Sequence, residues 1–134
     1  MSKLVVDGTH ATMGRLGSYV AKQALLGNEV VIVNANEVVI VGKKEDILDK
    51  YQVLIKKGGS SLKGPRIIRN PERILKRTIR GMLPHKQERG KTALNKIKCY
   101  NETPEEFKEV KKIKAGKEKR GKFLSLKELA KLIN

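Results

Sequence analysis

KLVVDGTHATMGRLGSYVAKQALLGNEVVIVN, residues 3–34, is the stretch whose reading decides the fold. It holds two short runs rich in valine and isoleucine, KLVVD at 3–7 and VVIVN at 30–34, bounded by Gly8 and Asn34. Runs of that length and composition read as strands buried on both faces. Between them Met13, Leu16, Val20 and Ala24 recur at helical spacing, Thr12 stands where a cap belongs, and Gly27 can end the helix in a left-handed conformation. A strand–helix–strand unit predicts a right-handed crossover and parallel pairing, and so an α/β fold.

Outward from this unit, a third run, Val38 to Val41, follows the turn NANE and ends at Gly42, and Lys43 to about Tyr51 reads as a helix. Residues 56–70, KKGGSSLKGPRIIRN, lack a period and carry glycine, serine and proline, which predicts an exposed loop. Asn70, Pro71 and Glu72 supply a cap, a first-turn proline and an acid near a helix N-terminus. That helix should run to about Leu83, before Pro84. Residues 88–94 add a turn or two, and Ile97 to Tyr100 reads as a fourth strand. Thr103-Pro104-Glu105-Glu106 has the form of a capping box, with Phe107, Val110 and Ile113 continuing on one face; Ser125-Leu126-Lys127-Glu128 repeats it before Leu129, Leu132 and Ile133. Two short helices should therefore close the chain, joined by the solvated or partner-bound link KAGKEKRGK at 114–122. No internal repeat is evident.

A chain of 134 residues, 39% of them hydrophobic, fits one folded domain. Cys99 is the only cysteine, which excludes an intrachain disulfide and points to a reducing compartment. The opening MSKLVVDG lacks the apolar region of a signal peptide, and no aliphatic run approaches the roughly 20 residues of a membrane span. A cytoplasmic protein with no membrane partner is expected, in which the sequon Asn101-Glu102-Thr103 is a chance match.

The net charge is +16, and its distribution says more than its size. Residues 1–42 hold three basic and three acidic side chains, and residues 43–55 hold three of each again. Residues 56–98 hold fourteen basic residues against only Glu72 and Glu88, whereas residues 99–134 hold ten against six. On the helix from Pro71, Arg73, Lys76, Arg77 and Arg80 fall in one arc about 100° wide, opposite Ile74, Leu75, Thr78, Ile79 and Met82. With so few acids beside them these cations repel one another in the free protein. An anionic partner, nucleic acid before all others, is the economical explanation.

Catalytic constellations are missing from the sequence. Gly8 to Arg15 is a strand-to-helix loop with two glycines, but five residues separate the glycines, Arg15-Leu16 follow, and GxGxxG spacing is absent, so it fits neither phosphate-loop pattern. Gly14 and Gly17 read as close-packing positions, and Arg15, in the first helical turn where the dipole disfavours a cation, points to an external anion. His10 and His85 belong to no metal-ligand pattern, Ser60 and Ser61 to no nucleophile elbow, and Cys99 reads as an inert thiol. No enzyme, cofactor, metal or small-molecule substrate is expected. With only Tyr19, Tyr51, Tyr100, Phe107 and Phe123 there is no aromatic platform either, so recognition should rest on RNA shape and phosphate.

The segments VVDGTHATMGRLGSYVAKQALLGNEVVIVNA (5–35), VVIVGKK (38–44), RNPERILKRTIRGMLPHK (69–86) and RGKTALNKIKCYNETP (89–104) resemble the large-subunit ribosomal protein thirteen family in its archaeal-type form. The resemblance implies a three-layer α/β/α domain with a four-stranded, mostly parallel sheet. It also implies a structural constituent of the large ribosomal subunit that binds large-subunit rRNA, adjoins neighbouring ribosomal proteins, and supports subunit assembly and translation. Charge and resemblance together give Arg15, Lys56, Lys57, Lys63, Arg66, Arg69, Arg73, Lys76, Arg77, Arg80, Lys86, Arg89 and Lys91 as RNA contacts. The expected organisation is one domain over 1–134: a neutral scaffold at 1–55, a basic RNA-binding segment at 56–98 and a C-terminal helical extension at 99–134. Two other readings compete: an α/β nucleotide-binding enzyme using the Gly8–Arg15 loop, and a free-standing regulatory binder of mRNA or DNA.

Overall fold

The computed structural model describes residues 3–56, 70–110, 112–114 and 122–133. Its first three elements are β1 (Lys3–Asp7), α1 (Met13–Leu25) and β2 (Glu29–Val33). β1 and β2 pair in parallel, from Lys3 opposite Glu29 to Asp7 opposite Val33. Leu16, Val20, Ala21 and Ala24 form the buried stripe of α1. Gly27, at φ 101°, takes the left-handed turn that ends the helix.

β2 starts one residue earlier than the sequence suggests and stops before Asn34. The cause is visible at Asn34, which adopts a left-handed backbone (φ 59°) that asparagine tolerates better than most residues. Its amide donates to Asp7 Oδ1 at 3.1 Å, and its carbonyl accepts from the Thr103 hydroxyl at 3.0 Å. Three chain segments are thus tied together at the carboxyl end of the sheet.

A 3₁₀ turn (Ala35–Glu37) leads to β3 (Val39–Val41) and α2 (Lys44–Lys56), a helix longer than the Lys43–Tyr51 expectation. There follow α3 (Pro71–Gly81), α4 (Glu88–Asn95), β4 (Ile97–Cys99), β5 (Ile113–Lys114), β6 (Phe123–Ser125) and α5 (Leu126–Ile133). The main sheet runs β4-β2-β1-β5, and all three pairings are parallel. The α/β architecture with a four-stranded parallel sheet is as expected, but its membership differs. β3 lies outside this sheet and pairs antiparallel with β6, Val39 opposite Ser125 and Val41 opposite Phe123.

The fourth strand comes from a stretch that reads as helical. The capping-box sequence at Thr103 makes only one 3₁₀ turn, Glu105–Phe107. Phe107 is drawn onto the sheet, 7% exposed, where it packs with Val5, Val31, Val33 and Tyr100. Further along, Ile113 pairs beside Val6. Of the two expected closing helices, α5 alone is regular, with the Glu128 N–H donated to Ser125 Oγ at 3.3 Å.

The alternation of strand side chains divides the core. Val6, Val30, Ile32 and Ile97 face a large cluster that includes Leu16 and Val20 of α1, Ile74 and Ile79 of α3, and Leu126 and Leu129 of α5. Val5, Val31 and Val33 face the smaller Phe107 cluster on the opposite side, where the covering layer is the 3₁₀ turn.

Candidate nucleic-acid interface

α3 is the element that carries the charge. Pro71, Ile74, Leu75 and Ile79 are buried, Arg73 and Arg80 are exposed, and Lys76 and Arg77 are half-buried, so the amphipathic division read from the sequence is the observed one. Met82 departs from it at 39% exposure. Its thioether instead covers Gly17, where an added Cβ would come within 3.1 Å of it. Gly17 is therefore a close-packing glycine between α1 and α3. Gly14 is not, for an added Cβ there would meet nothing within 4 Å.

The N-terminus of α3 is held from a distance. Asn70 occupies the cap position, yet its side chain makes no capping hydrogen bond. Asn101 does that work: its Oδ1 accepts the Glu72 N–H at 3.0 Å, and its Nδ2 donates to Asn70 Oδ1 at 2.8 Å. The asparagine and the threonine of the apparent sequon thus have structural partners, Asn101 on α3 and Thr103 on Asn34. No local signal could have assigned Asn101 to a helix 31 residues away.

Among the described residues, none of Arg15, Arg73, Lys76, Arg77, Arg80, Lys86, Arg89 or Lys91 forms an ion pair. Arg15 is exposed in the first turn of α1, which packs on α3; Lys86 is exposed in the turn after α3, and Arg89 and Lys91 are exposed on α4. α4 is seated very closely on that turn, because a Cβ at Gly90 would run into the carbonyl of Pro84. Lys56 closes α2, while Lys57, Lys63, Arg66 and Arg69 lie outside the described residues.

Two side chains that the sequence reading passed over, Lys98 and Tyr100, join this cationic region. With Glu72, Arg73, Lys76 and Cys99 they line an open cleft of about 440 Å³ between α3 and β4. Burial pushes the Cys99 thiol up to about 12, further raised by Glu72 and only partly opposed by the charge of Lys76, so it stays protonated at neutral pH. A nucleophilic thiolate is not available here.

The Gly8–Ala11 part of the Gly8–Arg15 loop is closed on the protein itself. The N–H groups of Gly8, Thr9, His10 and Ala11 donate to Val33 O (2.9 Å), Asp7 Oδ1 (3.0 Å), Glu37 O (3.0 Å) and Gly8 O (3.1 Å). A phosphate cradle needs such groups free and convergent. An added Cβ at Gly8 would lie 2.8 Å from Val38 Cγ2, so this glycine serves a close approach between segments. Among the described residues, no three His, Cys, Asp or Glu side chains gather where they could hold a metal ion.

An α/β scaffold that turns a cationic helix face outward, with the Gly8–Ala11 amides already paired, has the build of a protein that holds a polyanion. Comparison with known proteins makes the class specific. The chain belongs to the ribosomal protein L13 family, whose model matches residues 2–106. It is 48% identical over 105 residues to the large ribosomal subunit protein uL13 of Methanococcoides burtonii, covering 78% of this chain and 75% of that protein. The uL13 of Thermoplasma volcanium is 47% identical over 100 residues, with 75% and 73% covered. The uL13 of Picrophilus torridus is 40% identical over 133 residues, with 97% and 96% covered, so its likeness extends into the C-terminal segment beyond the family model. The family is one of structural ribosomal proteins, not of enzymes.

Proposed function

We propose that this protein is a structural constituent of the large ribosomal subunit in the cytoplasm, where it binds large-subunit rRNA, adjoins neighbouring ribosomal proteins, and supports subunit assembly and translation. The observation that carries the reading is the α3 face: Arg73, Lys76, Arg77 and Arg80 on one side of a helix whose other side is core, none of them ion-paired among the described residues. Cations left without protein acids gain most from phosphate, through charge neutralisation and counterion release. Arg15, Lys86, Arg89 and Lys91 extend the same contact, with Lys56, Lys57, Lys63, Arg66 and Arg69 contributed by the segment that leads into α3. In this division of labour residues 1–55 are scaffold apart from Arg15, 56–98 engage RNA, and 99–134 are a C-terminal extension, within one domain.

Co-sedimentation at low salt tests the proposal. The protein is expected to travel with large ribosomal subunits and to leave them as salt rises. Recovery only in the free soluble fraction would overturn it.

A further inference from the structure

Strand β4 is an outer edge of the main sheet, and the cleft wraps around that edge. Its side chains alternate: Ile97 and Cys99 belong to the large core on the α3 side, while Tyr100 packs with the Phe107 cluster on the other, the side to which Lys98 also points. On the helical side stand Arg73 and Lys76, one turn apart and facing the same way. Three cationic residues and one aromatic residue thus line about 440 Å³ around that edge, against the single carboxylate of Glu72. Phe107 braces the Tyr100 ring, their centroids 6.0 Å apart and their planes tilted by 43°, so the ring is held in place on a residue that lines the cleft.

A flat duplex backbone would use the cations and leave the ring idle. An acidic peptide would do the same. A single nucleotide turned out of a helix uses everything present, its phosphate meeting Arg73, Lys76 and Lys98, its base lying against Tyr100, and its ribose hydroxyl within the chemistry that the Glu72 carboxylate can accept. We propose that the cleft between α3 and β4 seats one unpaired RNA nucleotide. The inference rests on the rRNA-binding reading and narrows it: recognition by shape and phosphate is supplemented by one stacking position, which is not a platform for reading several bases.

The test is fluorescence anisotropy at low salt with two probes, labelled hexauridylate and a blunt RNA duplex. Tyr100→Leu is expected to weaken hexauridylate binding about tenfold while leaving the duplex within about twofold, and Tyr100→Phe to bind both as the native protein does. Lys98→Gln should weaken hexauridylate and reduce its salt slope by about one. Equal loss on both probes, or no loss on hexauridylate, overturns the seat. So does a glutamate-rich peptide that binds as tightly as hexauridylate with the same dependence on Tyr100.

Because Tyr100 also packs on Phe107, the native protein is cross-linked by ultraviolet light within large subunits as a second measurement. A nucleotide adduct on the peptide containing Lys98–Tyr100 is expected, and adducts confined to peptides outside the cleft contradict the proposal. The two levels stay separable. A protein that binds the duplex but is indifferent to Tyr100 loses only the seat, whereas one that binds neither RNA, and no subunit, loses the rRNA reading as well.

Discussion

The helices of the β1–α1–β2 unit and of the α3–α4–β4 unit pack on the same side of one sheet, and their inward faces are alike. Leu16 and Val20 in the first, and Ile74, Leu75 and Ile79 in the second, are all buried to 2% exposure or less. Outward they differ. α1 turns out Arg15, Ser18, Lys22 and Leu25, with two charges in thirteen residues, whereas α3 turns four cations to its outer side within eight. Similar burial with dissimilar exteriors separates what folds the protein from what it engages. The comparison predicts that core changes in either unit cost similar stability, and that the second unit's exterior matters more to an anionic partner than the first's, which offers Arg15.

The largest effect should come from Gly90→Ala. The new methyl group meets the Pro84 carbonyl, a backbone atom that cannot rotate away, so α4 must leave its seat. A loss of about 3 kcal/mol or more is expected by denaturant unfolding. A change below 1 kcal/mol would show that the second unit tolerates rearrangement and is not a fixed platform.

Leu16→Ala and Ile79→Ala test the symmetry of the inward faces. Both side chains are fully buried, and each truncation should cost about 2–5 kcal/mol. A near-neutral Ile79→Ala would mean that the buried and cationic sides of α3 have been interchanged.

Asn101→Ala is a smaller intervention, removing the long-range cap on α3. The expected cost is about 0.5–2 kcal/mol, with amide exchange quickened at Glu72 first. Unaltered protection there would remove Asn101 from the account of how the basic helix is held.

The smallest effect belongs to the first unit and to acid. Burial tends to raise the Asp7 carboxyl, but hydrogen bonds from Thr9 and Asn34 and the charge of Lys114 together outweigh it, and the group lies below its ordinary 3.8. A depressed carboxyl contributes stability above its unfolded value, and that contribution is lost as pH falls through the folded value. Asp7→Asn should therefore flatten the decline of stability below about pH 4 and leave the stability–pH slope above pH 5 unchanged. An identical acid limb in the variant would contradict the network at the carboxyl end of the sheet.

Local sequence shows what local physics decides. β1, α1, β2 and α3 are legible because each combines an aliphatic run or a helical period with a bounding Gly, Asn or Pro, and because the four cations of α3 are opposed on that helix by Glu72 alone. Sequence and structure part where distant segments arbitrate. Val38 to Val41 reads as another strand of the main sheet, and only its pairing with β6, more than eighty residues later, removes it. Thr103 to Glu106 has every feature of a helix start, but burying Phe107 under the sheet and pairing Ile113 with Val6 outweigh one capping box. At the candidate interface, cations are legible by count, whereas Lys98 and Tyr100 require knowing that β4 is an edge and that α3 lies beside it.

The central claim is that the outer face of α3 holds RNA phosphate. It is tested most directly by the salt dependence of RNA affinity for the native protein and for the variant with Arg73, Lys76, Arg77 and Arg80 all changed to Gln. If all four side chains neutralise phosphate, the slope of log affinity against log salt should flatten by about 3, at roughly 0.7–0.9 for each phosphate left without its cation, while thermal unfolding stays close to native. A variant with the native slope and native affinity at physiological salt would contradict the claim.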